Sequence, residues 1–191
     1  MTMSVSDIAM YTKSQKINFF GRNVDHERWF VLYTLPNFEK IIDKRLKEFG
    51  LHSYLPLQKE LRFWNDRKVW METPLFRSYI FIKTKLKKKD KAFKVEGILN
   101  YVSFGSHLAT LSEEEIDRIK RLCSYQGKIS IGFENPEVGN KVEICEGVLK
   151  GLKGFLIDAS GNKKIRINIE SLNCFASVTI GSDSVSFKYI L

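Results

Sequence analysis

Catalysis or phosphate binding in this 191-residue chain would have to reside in its few histidines and cysteines, an acidic triplet, or one glycine-studded stretch. His26, His52 and His107 lie far apart, and no GxSxG or HExxH arrangement supplies a nucleophile or a zinc-bound base. Cys123, Cys145 and Cys174 are odd in number and lack CxxC spacing or a nearby histidine, so they read as small core or surface residues. Glu113, Glu114 and Glu115 follow Ser112 at capping-box spacing, and acids in the first turn of a helix complement its dipole. The stretch EVGNKVEICEGVLKGLKGFL, residues 137–156, carries glycines at 139, 147, 151 and 154. A phosphate cradle needs a helix N-terminus directly after its glycines and usually a Lys followed by Ser or Thr, whereas Gly154 leads into the strand-like FLIDA. These glycines therefore serve turns and sharp strand entries. The expectation is a binding protein and not an enzyme, with no catalytic, cofactor or metal site. A basic nuclease is the alternative from another class, and it requires metal-binding carboxylates that converge only in the fold.

Charge points to the partner. The formal net charge is +9, and residues 28–123 hold +8 of it, 20 basic against 12 acidic side chains. An anion such as nucleic acid is expected to meet that middle segment, with a different task for the nearly neutral C-terminal segment. No stretch approaches the roughly 20 apolar residues that span a bilayer, so no membrane partner and a cytoplasmic location are expected.

These residues need elements to position them. Residues 1–27 show no sustained period and read as an N-terminal extension. WFVLYT, from Trp29, is a bulky strand ended by Leu35-Pro36. In NFEKIIDKRLKEFG the apolar Phe38, Ile42, Leu46 and Phe49 recur at helical spacing, with Asn37 as N-cap and Gly50 as C-terminal stop. LHSYLPL predicts a strand, QKELRFWNDRKVWMETPLF a hairpin about Asn65-Asp66, YIFIK and ILNYVSF further strands, and SEEEIDRIKRLC a helix. The lysine-rich KTKLKKKDKAF reads as a loop or helix start. This order implies an α+β fold over residues 28–123, a mixed or antiparallel sheet with helices packed on it. Residues 124–137 turn polar and read as a linker. Beyond it KVEIC, GFLIDAS, KIRINI, FASVTI and SVSFKYI are short strands at roughly ten-residue spacing, predicting a small five-stranded β-barrel over 138–191.

The glycine stretch resembles a KOW motif at Gly139, Val142, Ile144, Gly147, Leu149, Gly151 and Gly154, with Val148-Leu149 where the motif usually has Pro-Phe and Asn140 where it has Asp or Glu. The segments WFVLYTLPNFEKIIDKRLKEFG, LPL, TPLFRSYIFI, YVSFG and LSEEEIDRI resemble, in order and spacing, the N-terminal (NGN) domain of NusG-type transcription elongation factors. The likeness spans residues 28–191 and, with the N-terminal extension, is similar to specialised paralogues such as RfaH or the UpxY-type antiterminators of capsular-polysaccharide loci.

The resemblance implies a factor that rides on elongating RNA polymerase and suppresses pausing or termination. Its NGN domain grips the clamp helices of the β′ subunit near Pro74-Leu75-Phe76-Arg77-Ser78-Tyr79, where Arg77 replaces a family proline. Tyr33, Phe76, Arg77, Tyr79 and Phe104 are the implied polymerase-binding residues, with aromatic rings open to solvent as anchors. Asn37, Lys40, Lys44 and Arg45 are implied to meet the non-template DNA strand. The lysines after Thr84 occupy the region where a relative touches the β gate loop. Leu149 is implied to contact a protein recruited by the KOW domain, ribosomal protein S10 or the termination factor Rho. RfaH folds that domain as a helical hairpin, but the strand-forming residues of 165–190 predict a permanent barrel. A monomer is expected. A KOW-containing, ribosome-associated RNA-binding protein is the alternative function.

Overall fold

The structure, a computed structural model, describes residues 26–64, 67–133, 139–159, 162–179 and 186–190, without side-chain detail at 62–64, 158–159 and 162–163. The N-terminal extension up to residue 25, the Asn65-Asp66 turn, the Gly181-Ser182-Asp183 turn and the end of the expected linker lie outside the described residues. The fold is α+β and mostly strands. Its described residues divide into two compact units, one drawn from 26–54 and 78–111, the other from 55–77 and 112–190.

In the first unit β1 (Glu27–Thr34) buries Trp29, Phe30, Val31 and Leu32 in succession. Four consecutive buried side chains require cover on both faces, which places the strand centrally. It pairs antiparallel with β5 (Tyr79–Lys85) from Glu27↔Lys85 to Tyr33↔Tyr79, and on its other side with β6 (Ile98–Tyr101) and β9 (Thr110–Leu111). β2 (His52–Tyr54) completes the order β2-β5-β1-β6. Helix α1 (Glu39–Glu48) sinks Ile42 and Leu46, and Ser53 Oγ donates to Asp43 Oδ1 at 2.6 Å, tying the helix to β2. The expected four-residue apolar face is thus shorter. Phe38 and Phe49 cap the ten-residue helix at its two ends and stay exposed, because only its middle turns are buried. Gly50 stops the helix in the left-handed region, its N–H donating to Lys47 O at 2.9 Å. The lysine-rich segment Leu86–Lys94 forms 3-10 turns, and β7 (Ser103–Phe104) and β8 (His107–Leu108) form a short hairpin.

In the second unit β3 (Leu57–Trp64) and β4 (Arg67–Pro74) form the expected hairpin, paired from Leu57↔Pro74 to Trp64↔Arg67. Helix α2 (Glu113–Ser124) opens with the expected capping box and buries Ile116, Ile119 and Leu122. Six antiparallel strands follow: β10 (Ile129–Gly132), β11 (Asn140–Ile144), β12 (Lys153–Ala159), β13 (Asn162–Ile169), β14 (Cys174–Thr179) and β15 (Phe187–Tyr189). Their order is β10-β14-β13-β12-β11-β15 around a core of Val142, Ile144, Leu152, Ile165, Ile167 and Val178. β10 lies in the stretch read as linker. Ile129 is buried and paired with Val178, so the polar look of 124–137 hides one strand.

Glu115 does two tasks at once. Its Oε2 accepts from Ser112 N–H at 3.0 Å to close the capping box, and the same carboxylate accepts from Ser171 N–H at 3.2 Å and Ser171 Oγ at 2.7 Å. Arg121, on the same helix, donates from Nε to Val148 O at 2.9 Å and from Nη2 to Lys150 O. Helix α2 is thereby fastened to the turn regions of the C-terminal sheet. Glu115→Ala removes half of a capping box and leaves the part-buried donors of Ser171 without their acceptor, an expected loss of about 1–3 kcal/mol. Urea unfolding of wild type, Glu115→Ala and Glu115→Gln tests this: the glutamine, which retains an acceptor oxygen, should lose less than the alanine, and equal stability of all three would contradict it.

Candidate partner-binding surface

Tyr33 and Tyr79 sit directly opposite each other at one end of the β1–β5 ladder, so their side chains leave the same face of the sheet. The rings meet edge to face, centroids 6.0 Å apart at 75°. Tyr33 is 38% exposed and Tyr79 half-buried, which leaves part of a locked aromatic pair open to a partner. Leu35 and Phe38, exposed at 40% and 51%, follow Tyr33 within five residues.

The backbone that holds this pair is unusual. Thr34 N–H donates to Ser78 O at 2.8 Å and Leu35 N–H to Gly97 O at 2.9 Å, extending the ladder beyond the tyrosines. Asn37 and Ser78 then take positive φ, 67° and 62°. Each such non-glycine residue costs about 1 kcal/mol or more. Glu39 offsets this at Ser78: it is only 4% exposed, and its Oε1 accepts from Ser78 N–H at 2.8 Å. A carboxylate bonded to a buried N–H is a strong contact. Glu39 therefore fixes the turn that launches Tyr79. A buried bond across 39 residues leaves no periodic signal in the sequence to find it. Glu39→Ala should destabilise the first unit by about 1–3 kcal/mol by leaving that N–H unsatisfied, with Glu39→Gln milder. Hydrogen exchange at Ser78 and Tyr79 reads it directly, and unchanged protection in the alanine variant would contradict the role.

Several expected site residues lie elsewhere. Asn37 is not an N-cap: Phe38 holds that position without a side-chain cap bond, because the chain turns left-handed at Asn37 just before the helix. Its side chain is exposed. Phe76, expected as an open ring, is 3% exposed; Leu75 beside it is buried too, with its N–H on Pro56 O at 2.8 Å. Phe76 is a core residue, and of that segment only Arg77 is exposed. Phe104 is half-buried at the end of β7 opposite His107, in no ring contact with the tyrosine pair. Leu149, expected at a surface, is 1% exposed, and Val148 is the exposed aliphatic of that turn.

Lys40, Lys44 and Arg45 are exposed on α1. Lys44 stands 3.8 Å from Glu48 and Arg45 3.9 Å from Glu96, separations at which surface pairs contribute little, so these cations keep their reach for an anion. Among the described residues no group of three or more His, Cys, Asp or Glu is placed to hold a metal ion. Burial, with the Glu115 carboxylate adding to it, pushes the Cys174 thiol up to about 12, so it stays protonated at neutral pH. No helix among the described residues is long and apolar enough to cross a membrane.

Residues 27–120 match the NusG family model, described as "Transcription termination factor nusG". The match covers 94 of the chain's 191 residues. Among solved structures, "Domain interaction in Thermotoga maritima NusG" aligns over 85% of this chain and 98% of that one, at 20% identity and a TM-score of 0.50. "Crystal Structure of MjSpt4:Spt5 complex conformation A" aligns over 84% and 98%, at 18% identity and a TM-score of 0.31. No curated protein matches the chain.

Proposed function

We propose that this chain is a transcription elongation and antitermination factor that binds the clamp helices of the RNA polymerase β′ subunit and suppresses pausing or termination. The observation that carries the reading is the partly open Tyr33–Tyr79 pair, held in register by the β1–β5 ladder and by Glu39, within the segment that matches the NusG family model. Rigid tyrosines beside the exposed Leu35 and Phe38 suit a helical tip, because they supply contact area at low entropic cost and a hydroxyl for the partner's polar groups. Arg77 adds an exposed cation just before Tyr79 in the chain. Exposed Lys40, Lys44 and Arg45 provide phosphate contacts for the non-template strand; such contacts position the protein without reading sequence.

The six-stranded C-terminal sheet is read as a KOW domain that recruits a further protein, ribosomal protein S10 or Rho, through the turn that exposes Val148. The chain as a whole is read as a specialised paralogue of the RfaH or UpxY kind. In vitro transcription on a template with a defined pause and terminator tests the function: added protein should shorten the pause and raise readthrough, and Tyr33→Ala/Tyr79→Ala should lose both effects. No change in pausing or readthrough at saturating protein would overturn the reading.

A further inference from the structure

Residues 86–94 carry five lysines, Lys87, Lys88, Lys89, Lys91 and Lys94, against the single Asp90. Their 3-10 geometry sorts them. With three residues per turn, side chains at i and i+3 eclipse, so the segment has three distinct rows. One row turns inward: Ala92 and Val95 are buried, and Lys89 lies with its Nζ over the Tyr101 ring at 5.7 Å while its carbonyl accepts from Tyr101 OH at 2.7 Å. A second row, Lys88, Lys91 and Lys94, is exposed. Its members stand about 6 Å apart along the axis, one 3-10 turn. The third row holds Lys87, Asp90 and Phe93, all exposed; Phe93 is 46% exposed, its ring set edge-on against Tyr101 at 5.6 Å and 85°.

Three like charges stacked on successive turns repel one another. Asp90, the one acid within residues 86–94, pairs with Lys89 at 2.9 Å, and Glu96 just beyond them stands 3.9 Å from Arg45; none of Lys88, Lys91 and Lys94 is in an ion pair among the described residues. A regularly spaced cationic row beside an open aromatic ring braced from behind has a matching ligand chemistry: a flexible chain of phosphates whose unstacked bases lie on the ring. Duplex nucleic acid satisfies the lysines but keeps its bases stacked away from Phe93. An acidic peptide satisfies the lysines but has no flat π-face for the ring.

We infer that residues 86–94 form a binding track for single-stranded nucleic acid, with Lys88, Lys91 and Lys94 on phosphates and Phe93 as a stacking platform. This track is separate from the contacts proposed for Lys40, Lys44 and Arg45, and needs no polymerase to be seen. Fluorescence anisotropy with the full chain and a labelled 12-nucleotide oligothymidylate, titrated across salt, tests it. Lys88→Gln/Lys91→Gln/Lys94→Gln should weaken binding at least tenfold and flatten the log–log salt slope by about 2, at about 0.7 per lost single-strand phosphate contact. Phe93→Ala should weaken single-strand binding about tenfold and leave duplex binding within twofold, while Phe93→Trp should restore it. An unchanged salt slope in the triple variant overturns the track. So does a Phe93→Ala variant that binds single strands as wild type does, or polyglutamate competing as well as unlabelled oligothymidylate. Because this assay lacks polymerase, its failure leaves the pausing experiment unaffected, and the reverse holds too.

Discussion

Tyr33→Ala/Tyr79→Ala is expected to lower affinity for RNA polymerase about 100-fold with little change in folding stability. Interface tyrosines in well-packed positions each contribute about 2 kcal/mol or more when truncated, and two that touch act as a unit, so a total of about 2–4 kcal/mol is the reasonable span. The rings meet at 6.0 Å, so removing one also frees the other and each single variant should show a large part of the double effect. Stability is expected to hold because Tyr33 is over a third exposed and the ladder continues past it through Thr34 and Ser78. The binding should be measured by surface-immobilised polymerase, with thermal unfolding alongside. Phe76→Ala is a poor probe of the same surface: the ring is buried, so its loss leaves a core cavity, costing about 3–5 kcal/mol.

Gly154→Ala is expected to be among the most damaging single substitutions in the C-terminal sheet, at about 3 kcal/mol or more. Gly154 sits on β12, where an added Cβ would fall on the carbonyl oxygen of Arg166 in the neighbouring β13 and press the Ile165 side chain. The obstruction is backbone, which cannot rotate aside, so the two strands must separate and their ladder bonds lengthen. Gly147→Ala provides the contrast. Its site is open, and its cost is limited to about 1–2 kcal/mol for holding alanine at a φ of 72°. Hydrogen exchange across residues 153–169 distinguishes them: Gly154→Ala should lose protection there while β1 and β5 keep theirs. Wild-type protection in Gly154→Ala would contradict the close-approach account.

How much of this was legible in the chain depended on whether local periodicity or distant contact decided the outcome. The four-residue apolar run of β1, the Ile42–Leu46 spacing of α1 and the Ser112–Glu115 capping box are local patterns, and each is found where the residues place it. Turn glycines were also readable, although at Gly154 the reason is the neighbouring strand and not a positive φ. What escaped was decided across the fold. Asn37 has the chemistry of a helix cap and also that of a left-handed turn, and the turn prevailed because the chain must swing from β1 onto α1. Phe76 and Leu149 match positions of a motif, but a motif carries residue types and no accessibility, and both side chains are buried. Glu39 has no role in any local apolar pattern, and only its bond to Ser78 places it at the base of the tyrosine pair. The lysine run read as loop or helix start because neither a period of two nor one of 3.6 describes it; its period is three.

The surface around Tyr33 and Tyr79 is best tested by placing a photocrosslinking amino acid at either position and irradiating the complete elongation complex. The account predicts a crosslink confined to the clamp helices of β′, lost when those helices are deleted and absent from a control at the buried Phe81. Efficient crosslinking to another subunit, or none while the protein remains bound, would contradict it.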